Sequence, residues 1–267
     1  MADVHTVYLI KEQLKMQSLA VPTSDILGFP VADVDMREAV AAMAALLDDA
    51  PGARIVTANA EIMYLAHRDP ALGRLLHSAA MIVADGVGVV KAAGKLGRPI
   101  KAKVAGVELM QELCAWAAAH GRSVFLLGAG RASVEGAAAA LQASHPDLPI
   151  AGFHDGYFDE AKKEAILAEI QEKRPDFLFV ALGFPAQDLF YENNKDRLPV
   201  GVMMGVGGSF DVLSGQVQRA PKWAIQMGME WAYRYAQNPR RLKRAGAIPG
   251  FMLAVRRQKA RESRNSS

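Results

Sequence analysis

The chain contains one cysteine, no pair of histidines at metal-ligand spacing, and no apolar run near the ~18 residues that a membrane-spanning helix needs. Each shortage excludes something. The lone Cys114 lies in GVELMQELCAWAAAHG, where apolar residues recur at helical spacing, so it reads as a buried thiol, and no disulfide can form within the chain. Without paired histidines or a Ser-His-Asp pattern in local context, neither zinc chemistry nor a hydrolase is supported. Aromatic residues make up only 7% of the chain and no RNA- or DNA-binding signature occurs, so nucleic acid is not an expected partner. Lys11, Glu12 and Lys15 interrupt the N-terminal stretch and leave no signal-peptide core, so a cytoplasmic protein with at most peripheral membrane contact is expected.

What is present is enough hydrophobic sequence, 51% of 267 residues, for one sizeable α/β core plus an appendage. The net charge of +3 hides a strong division. From Gln218 to Ser267 twelve Lys or Arg face only Glu230 and Glu262, a net of +10, which leaves −7 on residues 1–217. An acidic body ending in a basic tail points to a polyanionic partner: anionic lipid, a diphosphate or nucleic acid.

Apolar, β-branched runs alternate with helical segments along the body. Asp35 and Glu38 form a capping-box pattern that opens a helix, and this explains Asp35 better than a metal-binding Asp33-Val34-Asp35 motif does. The runs RIVTAN, AMIVAD, SVFLLG, DFLFVALG and VGVMMGVGG are each followed by a helical pattern. Strands apolar on both faces, with crossover helices, predict a Rossmann-like parallel sheet with helices on both faces. The expected divisions are an N-terminal extension over 1–24, an α/β catalytic domain over 25–217, and a basic helical C-terminal appendage over 218–267. In that appendage Trp223, Met227, Trp231 and Tyr235 form a helical stripe that faces the core or an interface, which leaves self-association open. The apolar patch Phe251–Val255, flanked by basic clusters, suits a segment lying among lipid headgroups.

Ligands on such sheets bind where strands end, and the polar and glycine-rich signals fall there. Thr57-Ala58-Asn59 can grip sugar hydroxyls or diphosphate oxygens, or serve as turn and cap residues. Asp85, before Gly86 and Gly88, can take a proton from an attacking hydroxyl, or cap a helix. The loop Gly128, Gly130 and Ser133 offers N–H groups to a phosphate, with Asp147 near the spacing of a ribose-binding acid. Gln187, in GFPAQD, is presented by a glycine-proline turn, and Arg219 and Lys222 follow a last glycine-rich turn as candidate anion ligands.

In that order, TANAEIMYLA, DPAL, ADGVGVVKAAGKLGRP, GVELM, GFPAQD, GVGGSFDVLSGQVQRAPKW and EWAYRYAQNPRR resemble the WecG/TagA/CpsF family, glycosyltransferase family 26, from about Asp25 to Arg244. The resemblance implies an inverting, metal-independent transfer from a UDP-sugar to a sugar on an undecaprenyl diphosphate carrier. It implies Asp85 as the general base and Thr57, Asn59 and Gln187 as residues that position donor or acceptor. It also implies that the basic appendage, with Arg234, Arg240 and Arg241 nominated here, serves the lipid diphosphate at the inner face of the cytoplasmic membrane. Three positions depart from the family: Lys103 stands where Arg is common, Ala105 where Thr is common and Glu108 where Asp is common. Lysine keeps a charge at Lys103, a substrate-binding candidate, without the bidentate fork, and a missing hydroxyl at Ala105 bears on which sugar is read. The donor sugar therefore stays open. Two other readings compete: a nicotinamide-dependent oxidoreductase using Gly128–Ser133, and a non-catalytic module that binds anionic membrane through its tail.

Overall fold

The computed structural model of the chain describes residues 21–218, 221 and 246–265. A hairpin of β1 (Thr23–Ile26) and β2 (Phe29–Ala32) leads into α1 (Met36–Asp49), β3 (Ala53–Ala58), α2 (Ala60–Arg68), α3 (Pro70–His77), β4 (Met81–Ala84) and α4 (Val87–Lys95). Then come α5 (Gly106–Ala119), β5 (Val124–Gly128), α6 (Arg131–Ser144), β6 (Ile150–His154), α7 (Glu160–Lys173), β7 (Phe177–Ala181), α8 (Ala186–Asn194), β8 (Val202–Gly205) and α9 (Ser209–Leu213). A last helix, α10, covers Ala247–Asn265.

The eight strands form one sheet in the order β1-β2-β4-β3-β8-β7-β5-β6. All pairings are parallel except β1 with β2, which is antiparallel. The expected α/β sheet is thus present, with two additions at its edges. The hairpin turns through Leu27 and Gly28, both at positive φ. Edge strand β6 is only half buried along its length, so it lacks the fully apolar run by which the central strands announce themselves.

Side chains alternate between two buried layers. On one face Ile55, Leu126, Phe177, Phe179 and Met204 pack against α1, α5, α6 and Phe210 of α9. On the other face there are two clusters. Val56, Ala58, Ile82 and Ala84 pack with α2, α3, α4 and α10, whereas Phe125, Leu127, Leu178, Val180 and Met203 pack with α7 and α8. Cys114 is fully buried in the first layer, and burial pushes its thiol up to about 12. The capping box at Asp35 is formed in both directions, and Asp33 accepts the Lys101 N–H at 2.6 Å. Both carboxylates are thereby engaged in holding local structure.

The patch Phe251–Val255 corrects the headgroup expectation. Phe251, Ala254 and Val255 are buried against the body, and Leu253 alone of the patch is substantially exposed, at 48%. Gly250 seats the helix on Tyr64, with no room for a side chain between them. The period is helical, so one stripe is core while the basic residues Arg256, Arg257, Lys259, Arg261 and Arg264 remain exposed. The stripe Trp223–Tyr235, and Arg219, Lys222, Arg234, Arg240 and Arg241, lie outside the described residues.

Candidate active site

The sheet's carboxyl edge assembles four sequence candidates through its register. Ala58 of β3 is paired with Ala84 of β4, and the Asp85 N–H donates to the Ala58 carbonyl at 2.9 Å. Asn59 and Asp85 therefore stand next to each other, one residue past their strands. On the other side of β3, the Thr57 hydroxyl donates to the Gly205 carbonyl of β8 at 3.1 Å. Gln187, from the first turn of α8, accepts the N–H of Gly183 at 3.1 Å and that of Gly207 at 3.2 Å. Gly205 is the residue Gln187 lies across: a Cβ there would overlap the side-chain amide. Thus β4, β3, β8 and β7 bring Asp85, Asn59, Thr57 and Gln187 to one continuous edge.

Their environments differ. Thr57 and Gln187 are buried, and the Thr57 hydroxyl and the Gln187 Oε1 are both engaged with backbone. Asn59 and Asp85 are half-buried. Asn59 caps α2 by accepting the Ile62 N–H at 3.0 Å, so the cap reading of this residue is realised. Lys103 is also half-buried and belongs to the same edge, because the adjacent Val104 N–H donates to the Ala84 carbonyl at 2.9 Å. This segment leads into α5, whose first residue, Gly106, lies so near Thr57 that a Cβ would come 3.2 Å from its Oγ1. Gly106 was not singled out in the sequence; its place after a charged loop and before a helical run was the available signal.

The Gly128 loop lies further along the edge. Ala129 N–H donates to the Ala181 carbonyl, and a Cβ on Gly128 would come 2.5 Å from the Ala181 backbone, so β5 and β7 end in close contact. Gly130 precedes α6 with no side-chain cap. Ser133 is buried and its hydroxyl donates to Asp211 at 2.7 Å, which ties α6 to α9. Asp147 is exposed in the turn before β6, at the opposite end of the strands from this loop. An acid there cannot meet a ribose held at the carboxyl edge, which weakens the nicotinamide reading.

Two residues passed over in the sequence lie below the edge, one near the amino end of β3 and the other in the first turn of α8. Arg54 of β3 and Asp188, next to Gln187, are 3% and 0% exposed and pair at 2.6 Å. Burial pushes the Asp188 carboxyl up, against the opposing pull of the Arg54 guanidinium. A charged residue inside the otherwise apolar RIVTA strand was the signal. A separate groove of about 540 Å³, lined by Leu27, Tyr64, Arg68, Arg257 and Arg261 among others, opens at the far end of α2 from Asn59.

A parallel sheet with polar side chains and helix starts gathered at its carboxyl edge defines a doubly wound α/β protein built to hold a ligand at that edge. The chain matches the glycosyl transferase WecG/TagA/CpsF family over residues 24–265. It belongs to that family and is a glycosyltransferase. It is 37% identical over 209 residues to the N-acetylglucosaminyldiphosphoundecaprenol N-acetyl-beta-D-mannosaminyltransferase of Bacillus subtilis strain 168, covering 78% of this chain and 81% of that protein. Its identity to the enzyme of the same name from Staphylococcus aureus strain MW2 is 40% over 205 residues, covering 77% of this chain and 80% of the relative.

Proposed function

We propose that the chain transfers a sugar from a UDP-sugar to a polyprenyl diphosphate-linked sugar, with Asp85 as general base. The observation that carries this reading is the pairing of Asn59 and Asp85 at the ends of β3 and β4, beside the segment that carries Lys103. A half-buried carboxylate at that place can accept the proton of an acceptor hydroxyl as its oxygen attacks the anomeric carbon. The bond to UDP breaks as the new glycosidic bond forms on the opposite face of the sugar, so configuration inverts. Negative charge then grows on the departing diphosphate. Lys103 and the N–H groups at the starts of α5 and α6, neither of which has a side-chain cap, offer it positive potential. Thr57, Asn59 and Gln187 shape the floor against which donor and acceptor lie, and Gly128 and Gly130 let backbone approach a phosphate.

The relatives' names specify an N-acetylmannosaminyl donor and an N-acetylglucosaminyl diphosphoundecaprenol acceptor. We carry over both as the first pair to test, in the assembly of a bacterial cell-surface polymer. Lys103, Ala105 and Glu108 are the positions at which a different donor would be read. Arg219, Arg234, Arg240 and Arg241 are proposed to serve the lipid-linked diphosphate, with the enzyme held peripherally on the anionic inner face of the cytoplasmic membrane. The exposed basic face of α10 supports that location. No helix among the described residues is long and apolar enough to cross a membrane.

The test is the Asp85→Asn variant, assayed with UDP-N-acetylmannosamine and a short prenyl diphosphate-linked N-acetylglucosamine. Transfer is expected to fall by about 10²–10⁴-fold while UDP still raises the melting temperature. Near-normal transfer by a folded Asp85→Asn protein removes Asp85 from the mechanism.

A further inference from the structure

We propose that Arg54 and Asp188 are a positioning pair for the transfer site, a buried ion pair whose role is to hold Gln187 where it ties together the turns after β7 and β8. The inference rests on the reading of Gln187 as a site residue. Gln187 Oε1 is the acceptor shared by the Gly183 and Gly207 N–H groups, so one side-chain atom fixes the spacing of two strand-end turns. That atom is only as well placed as the first turn of α8, and α8 begins at Pro185 with no side-chain cap. The neighbouring Asp188 supplies the missing anchor. Its Oδ1 accepts from Arg54 Nη1 at 2.6 Å, while Arg54 Nη2 donates to the Leu75 carbonyl and, at 2.8 Å, to the Ser78 hydroxyl. One guanidinium thus links β3, the start of α8 and the end of α3.

The location and the chemistry both argue against simple packing. Arg54 shares a face with Val56 and Ala58, whose cluster is separate from the one around Met203 of the adjacent strand β8. The ion pair sits at the seam between those clusters, where apolar side chains would fuse them into one core. It is also an imperfect pair: Arg54 Nε and Asp188 Oδ2 are both buried without a hydrogen bond, and Arg54 Nε is 3.9 Å from Glu192 Oε2. A buried ion pair is frequently no more stabilising than apolar residues of the same volume. Retaining one with two unsatisfied atoms is better explained by the direction it imposes on α8 than by stability. Misplacement of a substrate-positioning group by an ångström can cost about 10²-fold in rate.

The experiment separates geometry from stability. The double variant Arg54→Met/Asp188→Leu replaces the pair by apolar groups of similar size, and Asp188→Asn keeps the shape but removes the charge. Each is compared with Gln187→Ala for melting temperature and for kcat and KM with UDP-N-acetylmannosamine and a prenyl diphosphate-linked N-acetylglucosamine. The double variant is expected to melt near the parent while kcat falls about tenfold to a hundredfold and donor KM changes little. Adding Gln187→Ala to either variant should lower kcat no further than about twofold, since coupled residues are not additive. A double variant with parent-like melting and parent-like kcat overturns the proposal. Should the double variant not fold, Asp188→Asn decides alone: full additivity with Gln187→Ala overturns the pair's role. Normal transfer by Gln187→Ala itself overturns the reading of Gln187, and the pair's role with it, a result distinct from loss in Gln187→Ala beside normal kcat in the pair variants.

Discussion

Helices that start at the rim of the sheet differ from those that start at its centre. At the rim, α1 and α7 are capped by Asp35 and Asp159, whose carboxylates accept first-turn N–H groups. Inward of these two along the edge, α4, α5, α6 and α8 follow Gly86, Ala105, Gly130 and Pro185 with no side-chain cap, whereas α2, behind the central strand β3, is capped by Asn59. An uncapped start leaves N–H donors and positive potential to be satisfied by something else. Four such starts along one edge, interleaved with Asp85, Asn59 and Lys103, are the arrangement an enzyme needs if a diphosphate is to supply the missing acceptors. On the proposed reading, the capped starts at the rim serve folding and the four bare starts serve binding, while Asn59, capping α2 behind the central strand β3, stands in both groups.

The largest effect that could break this contrast is a comparison of two aspartates. Asp85→Asn should cost about 10²–10⁴-fold in transfer and leave stability nearly unchanged. Asp159→Ala, at the rim, should leave kcat/KM unchanged. If both variants lost activity to the same extent, the centre would have no special standing. Next in size is Gly205→Ala. Its new methyl group would have to displace the Gln187 amide, so about 1–3 kcal/mol of stability should be lost, read from urea unfolding, together with most transfer activity. An equal loss of stability with full specific activity would detach Gln187 from the site.

Smaller again is the rim itself. Asp159→Ala removes the bond from Asp159 to the Lys162 N–H at 2.8 Å and should cost about 1 kcal/mol. A melting temperature that does not move would show that the rim caps contribute no more than the bare starts at the centre.

The contrast also explains what could be read from the sequence. Central strands were legible because both faces are apolar, as in FLFVA of β7, where all five residues are buried. The cap at Asp35 was legible because Glu38 stands three residues on. Edge elements were not. The residues of β6 are half-exposed, and the hairpin depends on Leu27 and Gly28 at positive φ, which no apolar pattern encodes. In α10, Phe251–Val255 was a visible apolar patch, but the partner that buries it, the α2 surface around Tyr64, lies far away in sequence. For the candidate site, the motifs placed Thr57, Asn59, Asp85 and Gln187 at strand ends. Their division of labour was hidden, since Thr57 and Gln187 face backbone of β8 and its turn, a contact set by strand order rather than by spacing. Arg54 and Asp188 are 134 residues apart, and pairing across that distance could not be inferred from either motif.

The subtlest test bears on α5, whose start belongs by position to the centre and by sequence to the rim. Ala105 has the extended backbone of an N-cap, φ −73° and ψ 129°, and Glu108 is at the third helical position. Threonine at 105 would therefore complete a capping box with Glu108, and threonine is the residue that the family resemblance leads one to expect there. Ala105→Thr should add about 0.5–1 kcal/mol in urea unfolding and leave the relative turnover of UDP-N-acetylmannosamine, UDP-N-acetylglucosamine and UDP-glucose unchanged. In that case the start of α5 is a rim-type cap, and donor recognition falls to Lys103 and to the bare starts of α4 and α6. A changed order of donors with no gain in stability would instead point the hydroxyl into the pocket. It would make Ala105 a determinant of sugar specificity and extend the binding centre across the whole edge from Asp85 to Gly128.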